Sequence, residues 1–392
     1  MLFSDVLRRE VSRAPMSALK AVANYGHGRD GLIPLWAGEG NLATPAFISD
    51  AAVQALKDGE TFYTAQRGIP ELRESLARYH SRHFGRDFAP DEFIVTTGAM
   101  HAIVLAIQAT AGAGDEVIYL TPEWPNFAAA AGIAGANPVA VPLSLVGNEW
   151  RCDIDRVATA ITPRTKAIFV NSPSNPTGWM ADGETLMGIL DLARKRGLWI
   201  IADEIYALFS FSRRRATSFL DIAQPDDRIL YVNTFSKNWA MTGWRIGWLQ
   251  AHSSLARTFE NLVEYSTSGI PAFLQRGAIA ALDHGDQFVF DQVQQAKKSR
   301  DIVCDILGKT GAVKFSLPEG AFYLFFAVDG MKDSYAAAID IVDKANVGLA
   351  PGIGFGEAGE GYLRLCFHRD AGQVEEAADR LARWIASSHV PT

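Results

Sequence analysis

The run Ile229-Leu230-Tyr231-Val232-Asn233-Thr234-Phe235-Ser236-Lys237 decides how the rest of the chain is read. It opens apolar, as a strand buried on both faces does, and closes on hydroxyls and one amine. Four similar apolar runs precede it, at residues 93–96, 117–120, 167–170 and 198–201. Stretches of helical spacing lie between them, among them residues 101–110 and 185–195. Alternation of this kind builds βαβ units, so the expected architecture is α/β. The large domain should have three layers, with a mostly parallel central sheet between helices. Open sheets of this type bind ligands beyond the carboxyl ends of their strands. The residues that follow each apolar run are therefore the candidates for chemistry.

Outward from the sheet, Thr44 is placed to cap a helix that takes Pro45 in its first turn. Ile48, Ala52 and Leu56 share its inward face before Gly59 ends it. A second helix starts near Pro70 and turns Leu72, Leu76 and Tyr79 inward. Near residues 283–286 the alternation stops, and a long helix from Gln287 to about Leu307 follows. The last helix, residues 374–385, carries an apolar stripe at Val374, Ala377, Leu381 and Trp384. A chain of 392 residues exceeds the usual size of one domain. We expect an N-terminal arm (1–44) that returns to the smaller domain, a large domain (45–285), and a smaller α+β domain (286–392).

Composition excludes several classes of function. A net charge of -7 does not supply the basic face that nucleic acid requires. Cys152, Cys304 and Cys366 are odd in number and far apart, which fits neither a disulfide framework nor a metal site; each reads as a small buried apolar residue. Residues 1–9 reach an acid and two arginines without an apolar core, so they do not read as a signal peptide. No run of apolar residues is long enough to span a bilayer. A cytoplasmic location is the expectation.

Four segments at strand ends or starts carry the chemistry: residues 171–178 (Asn-Ser-Pro-Ser-Asn-Pro-Thr-Gly), 202–206 (Ala-Asp-Glu-Ile-Tyr), 234–237 (Thr-Phe-Ser-Lys) and 241–247 (Met-Thr-Gly-Trp-Arg-Ile-Gly). In this combination and order the chain resembles fold-type I pyridoxal-phosphate enzymes, and more narrowly the class I and II aminotransferases. The resemblance runs over nearly the whole chain. It implies pyridoxal 5′-phosphate as cofactor, amino acids and 2-oxo acids as substrates, and a homodimer with shared active sites.

By that resemblance Lys237 carries the cofactor as an imine, is displaced by the substrate amine, and then moves the α-proton. An amine can do so only if it loses its charge near neutral pH, which partial burial beside other cations favours. Asp203 pairs with the pyridine nitrogen and keeps the ring an electron sink. Asn175 and Tyr206 hydrogen-bond the ring's phenolic oxygen, and Asn175 also faces the substrate. Gly98, Ala99 and Met100 open a helix, so their N–H groups and the helix dipole suit a phosphate. Thr234 and Ser236 add hydroxyls, and Arg245 a positive fork. Trp124 matches the aromatic residue stacked on the ring. Tyr63 matches a tyrosine that reaches the phosphate of the neighbouring subunit. Arg364 matches the arginine that clamps the substrate α-carboxylate, and Gly38 the backbone N–H that meets the same group. In Ala37-Gly38-Glu39-Gly40 a glycine stands where the family often has proline.

Other signals are set aside. Gly354-Phe355-Gly356-Glu357-Ala358-Gly359 fits a dinucleotide fingerprint as a string, but a strand follows it where a helix is required. His101 reads as a helix-surface or supporting residue, and residues 213–215 (Arg-Arg-Arg) as a solvated loop. The donor stays open. Met100 occupies a position where some aspartate-preferring relatives have lysine, which favours a neutral or aromatic donor, while Arg67 or the N-terminal arm could bind a second carboxylate. The acceptor implied is pyruvate or 2-oxoglutarate. Two rivals remain at this stage: a lyase that eliminates from a sulfur amino acid with the same cofactor, and a non-catalytic regulator on the same fold. Residues 1–29 are too few for the DNA-binding domain such regulators carry.

Overall fold

The computed structural model describes residues 6–387; residues 1–5, on which the signal-peptide reading partly rests, lie outside them. Seven strands form the large sheet: β1 (Phe93–Thr96), β2 (Glu116–Thr121), β3 (Asn137–Pro142), β4 (Thr165–Asn171), β5 (Trp199–Asp203), β6 (Ile229–Thr234) and β7 (Gly247–Gln250). Their spatial order is β1-β7-β6-β5-β4-β2-β3. Strands β6, β5, β4, β2 and β3 run parallel, and β7 is antiparallel to both β1 and β6. The five apolar runs of the sequence are all strands of this sheet, and β1 and β6 are buried almost throughout. Two strands were not foreseen. β3 lies at the edge, half exposed, with Pro138 and Pro142 at positions that tolerate a missing donor. β7 is only four residues long and fully buried, too short to show a period.

β7 matters for the site because it brings two strand ends together. Its first residue, Gly247, pairs with Thr96 on one side and Thr234 on the other. A Cβ there would lie 2.7 Å from Asn233 O and 3.0 Å from Gly98 C. Only glycine allows this approach. It sets Arg245 beside both the β1 helix turn and the Lys237 turn.

A second, antiparallel sheet holds β8 (Val313–Phe315), β9 (Tyr323–Val328), β10 (Ala350–Pro351) and β11 (Tyr362–Cys366), in the order β8-β9-β11-β10. The arm joins it: Ile33–Pro34 pairs with Val347–Gly348, and Cys366 N donates to Leu35 O at 2.9 Å. Residues 36–40 are thereby laid as a strap along the end of β11. The long helix spans Asp286–Gly308 and the last one Ala371–Ala386, with its expected stripe buried. Among the described residues no helix is long and apolar enough to cross a membrane.

Three local expectations are corrected. Thr44 does not cap the helix Ala46–Lys57; its hydroxyl donates to Ala240 O at 2.7 Å and accepts from Trp244 Nε1 at 3.0 Å, while Pro45 holds the cap position. Tertiary partners outcompeted the local one. The buried stripe of that helix is Ile48, Ala52 and Ala55, whereas Leu56 is exposed. Cys304 and Cys366 are buried, but Cys152 is only partly so.

Candidate active site

Lys237 sits in a single helical turn, Phe235–Asn238, directly after β6. Its Nζ donates to Gly38 O on the strap at 2.7 Å. Burial pushes its pKa down to about 8, opposed by Cys366 and Glu39 and aided by Arg364 and Arg245. Asp203 ends β5, the neighbouring strand. It is 2% exposed, accepts one long hydrogen bond from Ile205 N at 3.3 Å, and forms no ion pair within 4 Å among the described residues. Burial pushes it up to about 7, against the Ile205 N–H and Lys237.

Between these groups and the small sheet lies a cleft of about 240 Å³. Of the residues named from sequence, Gly38, Ala99, Met100, Trp124, Asn175, Asp203, Tyr206, Thr234, Ser236, Lys237, Arg245 and Arg364 all line it. Gly98 stands just behind: a Cβ on it would meet Arg245 Nη2 at 2.6 Å, and its φ of +75° is one that glycine adopts freely. Tyr63 is not in the cleft. It is 94% exposed and belongs to a separate depression with Thr64, Ile270 and Phe273. Arg67 is also elsewhere, between Asp91 and Glu260, in a third depression. His101 accepts from Thr97 N at 3.2 Å through Nδ1 and contacts Ser266 Oγ at 3.0 Å, a supporting position outside the cleft lining.

Arg364 is the most unusual group. It is 2% exposed, yet it pairs with no carboxylate among the described residues. Its guanidinium donates to Asn175 Oδ1 at 3.0 Å and to Trp36 O, and it lies over the Tyr323 ring at 4.6 Å. A buried cation without an anion is costly unless something else supplies the charge. Among the described residues Arg245 likewise has only a carbonyl, Thr242 O at 2.7 Å, and no carboxylate.

The cleft also holds residues to which the sequence assigned no role: Leu19, Trp36, Glu123, Asn171, Ile205 and Tyr323, of which Asn171 and Ile205 lie within the segments singled out. Tyr323 Oη lies 2.7 Å from Tyr206 Oη, both buried. Glu123 is 4% exposed; burial first, then the nearby Asp203, raise it well above the usual carboxylate range, against the Trp124 N–H. A glutamate directly before Trp124, itself a candidate, was the one signal that pointed to it. Tyr323 sits among Phe322, Phe325 and Phe326 and reads as core.

Do these residues fit pyridoxal phosphate? Asp203 is a buried acid short of partners, beside an amine that loses its proton near neutrality. Arg245 closes on a glycine turn at the start of a helix of 13 residues, next to the paired hydroxyls of Thr234 and Ser236 at 3.0 Å. The first pair suits a cationic ring nitrogen and an aldehyde; the second suits a phosphate dianion. The fit is good. A strand-end amine of this kind, facing an acid that needs a cation, defines the class of pyridoxal-phosphate-dependent enzymes.

Comparison with known proteins narrows the class. The sequence matches aminotransferase class I and II over residues 31–381, and the chain belongs to that family. It is 36% identical over 387 residues to an aspartate aminotransferase of Thermotoga maritima, covering 97% of this chain and 100% of the relative. An alanine aminotransferase from Pyrococcus furiosus superimposes with a TM-score of 0.91 at 28% identity, covering 97% of this chain and 100% of the other. An aromatic aminotransferase from Pyrococcus horikoshii does so with a TM-score of 0.87 at 31% identity, covering 94% and 100%. The enzyme is thus a pyridoxal-phosphate-dependent aminotransferase that acts on amino acids and 2-oxo acids. Its relatives carry names for acidic, small and aromatic donors alike.

Proposed function

We propose that this enzyme moves the amino group of a neutral L-α-amino acid, apolar or aromatic in its side chain, onto a 2-oxo acid in two half-reactions of a ping-pong cycle. Arg364 carries the reading: a buried guanidinium without a protein anion, lining the same cleft as Lys237 and Asp203, suits an α-carboxylate.

Lys237 Nζ is the point of covalent attachment for the cofactor. When bound, pyridoxal 5′-phosphate supplies an aldehyde that carries the amino group and a ring that spreads the electron pair left on Cα. Asp203, ionised against the ring nitrogen, maintains that capacity. Asn175 and Tyr206 hold the ring oxygen, and Trp124 covers a face. Arg245, Thr234, Ser236 and the N–H groups of Gly98, Ala99 and Met100 hold the phosphate. Arg364 and the Gly38 N–H orient the α-carboxylate, so that the proton on Cα faces Lys237. Once freed, Lys237 Nζ would take that proton and return it to the carbon on the far side of the nitrogen, two bonds from Cα. Tyr63 serves the cleft of a second copy in a homodimer. The working units are residues 45–285 and 286–392, the latter joined by the arm of residues 1–44, and the enzyme works in the cytoplasm.

The preference for a neutral donor rests on the walls. Leu19, Trp36, Met100 and Ile205 are apolar, and each of the three cations in the cleft has a task. Arg67 is neutralised elsewhere by Asp91 and Glu260. Pyruvate, with a methyl side chain, is the matching acceptor ahead of 2-oxoglutarate. The test follows half-reactions by cofactor absorbance, with L-alanine, L-leucine, L-phenylalanine, L-aspartate and L-glutamate as donors. Neutral donors should leave the aminated cofactor; an aspartate rate above all neutral ones would overturn the specificity. With L-cysteine added as a donor that bears a β-leaving group, release of sulfide, pyruvate and ammonia with the aldehyde form regained would instead indicate elimination.

A further inference from the structure

Gly40 stands where the family often has proline, and the reason is visible. A Cβ at this position would lie 2.6 Å from His368 Cδ2 and 2.8 Å from its Nε2. The strap at Gly40 is therefore packed directly on the His368 ring. His368 is 3% exposed and stacks on Phe322, with ring centroids 5.0 Å apart. Burial, with Arg369 and Lys237 nearby, lowers its pKa to about 4, so the ring is neutral at pH 7. Its Nε2 lies 3.1 Å from Gln292 Oε1, and Gln292 Nε2 donates to Asn238 O at 2.7 Å. Gln292 is 1% exposed. Asn238 closes the helical turn that carries Lys237.

The two ends of one hydrogen bond are thus held by one pair of side chains. His368 sets the strap, and with it Gly38 O; Gln292 sets the turn, and with it Lys237 Nζ. Gln292, Gln295 and Ser299 lie on one face of the helix Asp286–Gly308, and the latter two donate to Arg369 O at 3.2 and 3.1 Å. The long helix therefore grips the chain just beyond β11 at three polar points. Apolar side chains would fill such an interior at lower desolvation cost, so a hydrogen-bonded polar pair there acts through geometry.

We propose that His368 and Gln292 are positioning residues for the reacting amine: the His368–Gln292–Asn238 relay fixes the distance between Lys237 Nζ and the Gly38 carbonyl. The inference rests on the reading of Lys237 as the attachment point. Lys237 also faces Asp203, Glu39, Cys366, Arg364, Arg245 and His368, and the relay changes none of these charges.

The test uses full-length protein. In the cofactor-free form, the pH dependence of Lys237 modification by a small amine reagent, located by peptide mass, gives the protonation midpoint of the amine. In the holoenzyme, kcat and KM are measured, and circular dichroism melting checks the fold. Gln292→Leu and His368→Leu should lower the midpoint by about half to one unit, because a lost carbonyl acceptor disfavours the ammonium form. They should lower kcat about tenfold, with KM for the donor within about twofold. His368→Gln, whose amide can still donate to Gln292, should restore most of both. Folded Leu variants with unchanged midpoint and kcat would overturn the proposal, as would His368→Gln behaving like His368→Leu. Should Gln292→Leu not melt cooperatively, the His368 pair decides. A wild-type protein with no borohydride-trapped adduct at Lys237 would instead sink the attachment reading, a separate outcome.

Discussion

Arg364 offers the sharpest prediction. Replacing it by methionine removes a guanidinium that is 2% exposed and hydrogen-bonded only to Asn175 Oδ1 and Trp36 O. In the protein alone the change exchanges a buried cation without a counter-ion for a side chain of similar length. Replacing even a buried ion pair by packed apolar residues is often neutral or stabilising by about 1–4 kcal/mol, and a cation without a counter-ion has less attraction to lose. The melting temperature of the cofactor-free protein should therefore hold or rise, even though the lost contacts with the Tyr323 and Phe355 rings oppose this. Substrate sees the opposite. Truncating one partner of a buried, hydrogen-bonded charge pair costs about 2–5 kcal/mol, which is about 30-fold to 5,000-fold in kcat/KM. Every donor and acceptor carries the carboxylate, so the loss must be uniform across both half-reactions. Single-turnover absorbance with three donors and two oxo acids measures it. A fall below about tenfold, or one confined to a single substrate, would refute the role given to Arg364.

Other outcomes follow from the same geometry. Lys237→Ala should still bind the cofactor but give no borohydride-trapped adduct and almost no turnover, as mass spectrometry and steady-state rates would show. Asp203 is raised by burial to about 7 in the folded chain, so its contribution to stability is fullest below its unfolded value near 4 and is lost as pH rises towards 7. In cofactor-free protein melted between pH 4 and 8, Asp203→Asn should remove that part of the pH dependence, read as the difference from wild type; Glu204, also raised to about 7, and Glu123 act in the same direction, while buried His80, His83 and His368, lowered to about 3, 4 and 4, act in the opposite one. Gly98→Ala puts a Cβ 2.6 Å from Arg245 Nη2 on a backbone with φ of +75°, and should weaken cofactor affinity about tenfold in equilibrium dialysis. Met100→Lys adds a cation to the cleft wall and should raise the aspartate rate relative to leucine by at least about tenfold.

The buried parallel strands and the order of motifs were legible because β2, β4, β5 and β6 are each an apolar run of four or more residues ending in polar residues, whereas the edge strand β3, half exposed and holding two prolines, was not. β7 was not, since four residues bounded by Ile246 and Ala251 have no period to read. Thr44 misled because capping is a local argument, and Ala240 O and Trp244 Nε1 come from about 200 residues away. The cleft was legible wherever a polar residue stood at a strand end. Tyr323, Trp36 and Leu19 were hidden because an aromatic or aliphatic side chain facing a cleft has the same sequence signature as one facing the core. Glu123 was missed for another reason: its environment is set first by burial and then by Asp203, two strands away in the sheet order.

The charges of the cleft form a pattern that single residues do not reveal. Lys237, Arg245 and Arg364 pair with no carboxylate among the described residues, while Asp203 and Glu123, buried near them, pair with no cation. The chain has 44 acids and 37 bases, and elsewhere they meet freely, as at Arg194 and Asp227 or Arg215 and Asp221. The separation in the cleft is maintained by structure. Gly247 and Gly98 seat Arg245 away from the acids, and β11 carries Arg364 on a different sheet from Asp203. Such an arrangement weakens the folded chain by itself, since the buried groups Asp203, Glu123 and Arg364 are desolvated without a counter-ion. It complements a ligand set with two anionic ends and a cationic ring. Binding energy then comes from charges already in place, and little reorganisation remains for the chemical step.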